Sequence, residues 1–311
     1  MTFSHGTVRE ALYPFWIVRE PGLLTRNFLD FLMYSSVFVA LISVGMVYLS
    51  SFIQGLPLTP CGFLIPFLEV FAIYNFNNRT DEEEDIINRK GRYRFMQRYG
   101  RPLSVLAVSA FVLALALALL EGILALAITC IPLVLGFLYS APCLPSRCRY
   151  HRLKEVPMVK NLIVGFSWGL LPGLLPVVIA RAPLGTGALL IFLLFSTWGF
   201  VASIIPDIRD LAGDARSGIC TIPVIFGDTR ARRFLLCVNL AVGLLIIRSS
   251  LTIFPLAFTG FFATSTMYSE TCIYLTKRVA LRDLVADILS DGQFIILACA
   301  TCFLAVLHIL R

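Results

Sequence analysis

Nine apolar runs, each close to the length that crosses a bilayer, dominate this chain: residues 31–53, 60–78, 102–120, 123–141, 161–180, 186–205, 234–252, 254–276 and 292–310. A hydrocarbon core about 30 Å thick takes roughly 20 residues of helix. Lipid offers no partner to a bare peptide group, so each run predicts a helix. Only Glu121 and Gly122 separate the third run from the fourth, which demands a tight helical hairpin. The seventh is interrupted by Arg248, a side chain that snorkels to water when it sits near a membrane face. The composition agrees, since 58% of the 311 residues are hydrophobic and 14% are charged, against about 25% charged in soluble domains. A water-soluble core of that make-up would expose more apolar surface than a monomer tolerates. Disorder, collagen and disulfide-stapled secreted modules are excluded on the same grounds. The expectation is an all-α, polytopic membrane protein with nine transmembrane helices, forming a single membrane domain over 1–311 with a cytoplasmic segment at 1–30.

The cations set the orientation. Of the 26 Lys and Arg, all but Arg181, Arg248 and Arg311 fall in the N-terminal segment or in the connections after runs two, four, six and eight. The positive-inside rule then puts the N-terminus and these four connections in the cytoplasm and the C-terminus outside. The formal net charge of +7 is a topology signal and predicts no nucleic-acid partner. The first 26 residues lack the ordered basic, apolar and small-residue regions of a signal peptide. Most of the nine cysteines lie in apolar runs, where cysteine behaves as a small hydrophobe. Cys143 and Cys148, the pair in a connection, lack the partners of a zinc site.

Two acidic clusters follow runs two and six. In the first, Asn77, Asp81 and Asp85 recur at i, i+4 and i+8, so on a continuing helix they share one stripe. In the second, Asp207, Asp210 and Asp214 at i, i+3 and i+7 share another. Asp81 and Asp207 lie 126 residues apart, each at the cytoplasmic end of its run. That placement suggests two structurally related halves of a bundle over 31–310, surrounding one central cavity. Glu82, Glu83 and Glu84 point off the first stripe. A solvated loop balancing Arg79, Arg89, Lys90 and Arg92 would account for one such cluster; two clusters at matching depth point to a site. Carboxylate and amide oxygens without thiolate or imidazole suit hard cations, and magnesium is usually shared between one or two carboxylates and a substrate phosphate. A diphosphate bridged to both clusters through Mg2+ is the natural ligand. The DxDxDG spacing of a calcium loop is absent.

These residues resemble a known family. Asn77-x3-Asp81-x3-Asp85, followed by Asn88 and Arg92, looks like the first signature of the UbiA superfamily of intramembrane prenyltransferases. DIRDLAGDARSGICTIPVIFG at 207–227 looks like the second. Between them, Tyr139-Ser140-Ala141-Pro142, with Arg152, Lys154, Lys160 and Asn161, is similar to the family's central elements. Asn78 stands where the family's commonest pattern has aspartate, and the proline usual shortly before the arginine is replaced near Lys90. The resemblance covers nearly the whole chain. It implies a helical bundle around a cavity open to the bilayer, and transfer of a prenyl group from a prenyl diphosphate to a lipophilic acceptor. Asp81, Asp85, Asp207, Asp210 and Asp214 would hold Mg2+, two ions in number and replaceable by Mn2+. Asn77, Arg92, Lys154, Lys160 and Asn161 would bind the diphosphate, and Tyr139 is a catalytic candidate as an aromatic stabiliser of the allylic cation.

Glu69 and Glu270 lie inside runs two and eight, where an ionisable group is a site candidate by default. Glu69, about 80° from the metal stripe, is a candidate to accept the acceptor's proton. Phe166, Trp168, Phe195 and Trp198 are candidate stabilisers of an allylic cation. The competing class is an ion-coupled transporter using the same acids, which predicts essential carboxylates at the bilayer midplane rather than at one rim. A CDP-alcohol phosphotransferase would need a DGxxAR element, which is absent. Aromatic acids or quinone precursors, a prenylglycerol phosphate, a tetrapyrrole carboxylate and a carotenoid end all remain open as acceptor.

Overall fold

The computed structural model describes residues 23–81, 85–86, 88–140, 153, 156, 158–216 and 219–306. They form helices and no strand. In chain order these are α1 (Leu23–Tyr34), α2 (Val37–Gln54), α3 (Pro60–Thr80), α4 (Lys90–Glu121) and α5 (Ile123–Ser140). Then come α6 (Val159–Ile179), α7 (Thr186–Arg216), the single turn α8 (Ile222–Phe226), α9 (Asp228–Ile253), α10 (Leu256–Leu275) and α11 (Ser290–Val306). Each expected run is mainly helical over its described residues, the first of them in two pieces. Six stretches are both long and apolar enough to cross a membrane: α2, α4, α6, α7, α9 and Val279–Phe303, with a shorter apolar helix at Ile123–Leu138. The two remaining runs, α3 and α10, are diluted by polar side chains that the bundle buries, among them Glu69, Asn75 and Asn78 in α3 and Ser265, Thr266 and Ser269 in α10.

Local chemistry accounts for the ends and breaks. The Thr59 hydroxyl accepts from the Gly62 amide at 3.1 Å, with Pro60 in the first turn of α3, where its missing N–H costs nothing. Gly122 turns the α4–α5 hairpin at φ 125, a conformation open to glycine. The first run is not one helix. It breaks between α1 and α2, with Ser36 at φ 64. The break is held by α3: Asn75 donates to the Ser35 carbonyl at 2.9 Å, and Asn78 to Ser36 Oγ at 3.1 Å and the Tyr34 carbonyl at 3.5 Å. Inside α6 a π turn at Leu170–Leu174 carries Pro172, with Pro176 following; proline cannot supply the amide a regular ladder needs.

Two helices outrun the bilayer at the end where the acidic clusters lie. α4 starts at Lys90, well before its apolar run, and α7 continues past its own to Arg216. Asp207, Asp210 and Asp214 therefore stand on the last turns of one continuous helix. α6 packs on α7 through a stripe of Gly165, Gly169 and Gly173. A Cβ at Gly165 would lie 2.6 Å from the Ser196 carbonyl oxygen, and one at Gly169 2.0 Å from Ser196 Oγ. Such small-residue contacts let two backbones approach where no hydrophobic effect drives association. The core beneath is apolar and aromatic: Trp168, Phe195, Trp198, Phe262 and Phe294 are buried together.

Candidate active site

One cavity of about 340 Å3 opens among α3, α4, α6, α7 and the start of α11. Its lining gathers Asn77, Asp81 and Asp85 from the first cluster and Asp207, Asp210 and Asp214 from the second. Arg92 and Lys160 join them. The i, i+4, i+8 stripe survives even though α3 ends at Thr80, because Asp85 still donates its amide to the Asp81 carbonyl at 3.0 Å and Asp81 its own to Asn77 at 2.9 Å. Farther from the acids the wall is Val70, Ile73, Tyr74, Val164, Trp168 and Leu171. One end is thus charged and the other apolar and aromatic.

Asp85, Asp207, Asp210 and Asp214 each have a cationic or amide partner. Asp85, whose side chain is 3% exposed, is held by both ends of the Arg92 guanidinium. Burial pushes its carboxyl above the usual carboxylate range, and Arg92 pulls it back down. Lys160 Nζ lies 2.6 Å from Asp207 Oδ1, while Asn161 donates to Asp207 Oδ2 at 3.3 Å and to Ser203 Oγ at 2.9 Å. The Lys-Asn pair of the central element therefore positions the first acid of the second signature. Arg209 chelates Asp210, with bonds of 2.8 and 2.7 Å. Asn88 donates to Asp214 Oδ1 at 3.4 Å, joining the two signatures directly. That approach explains Gly213: a Cβ there would fall 1.6 Å from Asn88 Oδ1.

Among the described residues no three acidic, histidine or cysteine side chains are gathered closely enough to hold a metal ion. The physical reason is visible in the pairs above, since mutually repelling carboxylates are each drawn to a cation or an amide. The donor chemistry fits magnesium nonetheless. Every candidate ligand is an oxygen facing one cavity, and Mg2+ needs only one or two of them if substrate phosphates and water complete its shell.

The expected residues are not all here. Lys154 lies outside the described residues, as do Arg152 and Glu82 to Glu84. Tyr139 sits in the last turn of α5. Glu69 is fully buried, with neither carboxylate oxygen hydrogen-bonded, and it does not line the cavity. Its helix presents Val70, Ile73, Tyr74 and Asn77 there instead. Glu270 takes a bond of 2.9 Å from Asn239, tying α10 to α9. Of the aromatic candidates Trp168 and Trp198 reach the cavity; Phe195 is buried in the core and Phe166 is exposed.

Sequence reasoning missed a third contribution, from the residues just before and within the first turn of α11. Asp287 and Asp291 line the cavity, as do Arg89 and Arg209. The signal was present, for Asp283, Asp287 and Asp291 repeat the i, i+4, i+8 spacing of the first cluster. The surrounding basic residues masked it.

A multi-pass helical bundle with an oxygen-rich, cation-lined cavity at one end of its helices is a membrane enzyme or carrier for an anionic amphiphile. The sequence profile of the UbiA prenyltransferase family matches residues 36–285, and the chain belongs to that family. It is 29% identical over 158 residues to a digeranylgeranylglyceryl phosphate synthase of Methanopyrus kandleri, a match covering 50% of this chain and 54% of that enzyme. The match thus spans about half the length of that curated relative. Among solved structures, a UbiA homologue from Archaeoglobus fulgidus bound to GPP and Mg2+ superposes with TM-score 0.63 at 16% identity, covering 87% of this chain and 98% of that one. A structure concerned with digeranylgeranylglyceryl phosphate synthase superposes with TM-score 0.60 at 18% identity, covering 88% and 97%. At these identities the superpositions establish the shared fold.

Proposed function

We propose that this protein transfers a prenyl group from a prenyl diphosphate to a lipophilic acceptor in the membrane, with Mg2+ as cofactor. The observation that carries this reading is the polarity of this cavity: two sets of carboxylates with Arg92 and Lys160 at one end, and apolar and aromatic side chains at the other. A diphosphate head on an isoprenoid tail has the same two ends. A prenylglycerol phosphate is the acceptor to test first, because the matched synthase is named for such a product; an aromatic acid or quinone precursor is the alternative. Membership of a prenyltransferase family supports this reading over ion-coupled transport.

Asp81, Asp85, Asp207, Asp210 and Asp214 would hold the magnesium, two ions with both clusters engaged, and Mn2+ could replace it. When bound, the metal supplies charge neutralisation for the departing diphosphate. The protein's own groups do the rest. Arg92 and Lys160, now neutralised by Asp85 and Asp207, are placed to donate to phosphate oxygens, with Asn77, Asn161 and, from the central connection, Lys154 completing the diphosphate's surroundings. Trp168 and Trp198 meet edge to face, 5.2 Å between ring centroids at 82°, and Trp198 Nε1 is fixed to the Ser290 carbonyl at 3.0 Å. Rings so fixed offer their faces to an allylic cation. Tyr139, in the last turn of α5, is the further aromatic candidate for stabilising that cation. By the charge distribution, the cavity opens to the cytoplasm.

The test is a transfer assay in detergent with radiolabelled geranylgeranyl diphosphate, an acceptor panel, and either Mg2+, Mn2+ or excess EDTA. Transfer to prenylglycerol phosphate that requires Mg2+ or Mn2+ is expected. Absence of transfer to every acceptor would overturn the activity, and full turnover in EDTA would overturn the metal.

A further inference from the structure

Three segments far apart in sequence meet at one carboxylate. Asp287, in the turn preceding α11, accepts from the guanidinium of Arg89, the residue just before α4. The same Oδ1 atom accepts from Arg209 Nη1 of α7 at 2.7 Å. All three side chains line the cavity that holds both acidic clusters. Arg209 is further chelated by Asp210, and its side chain is 9% exposed. The turn itself is anchored by Arg282, which donates to the Thr276 carbonyl at 2.9 Å, to the Ile208 carbonyl at 3.4 Å and to Asp228 at 2.7 Å.

We propose that Asp287 is a positioning residue for the diphosphate end of the substrate, holding the Arg89 and Arg209 guanidiniums together at the charged end of the cavity. Two guanidiniums this close repel one another, and one shared carboxylate offsets that repulsion. Burial lowers the Arg89 pKa, Asp287 opposes this, and the neighbouring Arg209 and Arg92 act in the same sense as burial. A guanidinium carries five donors in a planar fork suited to phosphate oxygens. The Arg89 contact with Asp287 engages one of its nitrogens, so the clamp aims the fork without consuming it. Asp287 also links the connection carrying the first signature to the helix carrying the second, beside the direct Asn88–Asp214 bond. The inference rests on the prenyl-diphosphate reading.

The experiment measures binding of geranylgeranyl diphosphate, inorganic pyrophosphate and geranylgeraniol to full-length protein with Mg2+, alongside KM and kcat. For Asp287→Asn, affinity for both diphosphates should fall about tenfold with a matching rise in KM, while kcat changes by less than about threefold and geranylgeraniol binds as before. Asp287→Glu, which keeps the carboxylate, should restore diphosphate binding. In Arg209→Gln, adding Asp287→Asn should cost little more, because the pair acts as a unit. Asp283→Asn is the control, at an exposed carboxylate 3.9 Å from Arg209 Nε, and should behave as wild type. Wild-type diphosphate affinity in Asp287→Asn would overturn the clamp and leave prenyl transfer standing, and so would an equal loss for geranylgeraniol, which marks general unfolding. If that variant cannot be purified, Arg89→Gln must show the same diphosphate-specific loss, and unaltered binding there overturns the clamp. A wild-type protein that binds no prenyl diphosphate overturns both readings.

Discussion

Asp85 and Asp207 are each 3% exposed at the side chain, and each is matched to one cation, Arg92 and Lys160. Removing one partner of a buried pair strands the other, so an aspartate at either position has a structural as well as a chemical duty. Asp81→Asn, Asp85→Asn, Asp207→Asn and Asp214→Asn should each lower prenyl transfer by about 100-fold or more, the scale of losing a group that acts on developing charge. Glu83→Gln should stay within about twofold, since the sequence spacing alone sets it about 200° from Asp81 on an ideal helix. A Glu83→Gln loss equal to that of Asp81→Asn would dissolve the stripe. At this scale most of the cavity's carboxylates were legible in the sequence because helical periodicity alone aligns them. Asp287 shows the same spacing, but its meaning comes from two arginines brought to it by tertiary packing. Asn78 is a similar case: its departure from the family's aspartate gains sense once its amide is seen donating to the Tyr34 carbonyl, which a carboxylate cannot do.

Among the elements, apolar length predicted where helices lie, and tertiary partners decided where they break. The interruption at Ser36 needs the amides of Asn75 and Asn78, which no local pattern announces. The α6–α7 contact is the element-level support of the site, for the turn that carries Lys160 and Asn161 lies just before the glycine stripe. Gly165→Ala would set a Cβ 2.6 Å from a backbone oxygen, and no rotamer relieves that. The helices must separate, at a cost of about 1–3 kcal/mol for overpacking. A lowered melting temperature is expected, together with weaker diphosphate binding as Lys160 and Asn161 draw away from Asp207. Unchanged stability and affinity would mean that the helices do not meet so closely. Gly213 differs in kind, because the obstructing atom is the end of the Asn88 side chain and can swing aside.

At the scale of the whole molecule, function depends on which side of the bilayer the cavity faces, since a diphosphate is supplied in water and its product is retained in lipid. Four connections and the N-terminal segment hold all but three of the 26 cations. An elementary charge is costly to carry across hydrocarbon, so that asymmetry predicts a cytoplasmic acidic end for the bundle. Arg181, one of the three exceptions, stands beyond the opposite end of α6, in the connection to α7, as the alternation of spans requires. Single cysteines placed within 80–100, 143–158 and 208–232 of a cysteine-free variant should react with a membrane-impermeant thiol reagent in inside-out vesicles and resist it in intact cells. A cysteine replacing Arg181 should show the reverse. The native cysteines at 143 and 148 offer the same readout if the remaining seven are removed. Labelling of any signature connection from outside intact cells would invert the bundle and move the cavity to the wrong face for a cytoplasmic prenyl diphosphate. Agreement for the connections with reversal at 181 would tie the charge pattern to a bundle whose site draws its head group from the cytoplasm and its tail from the bilayer.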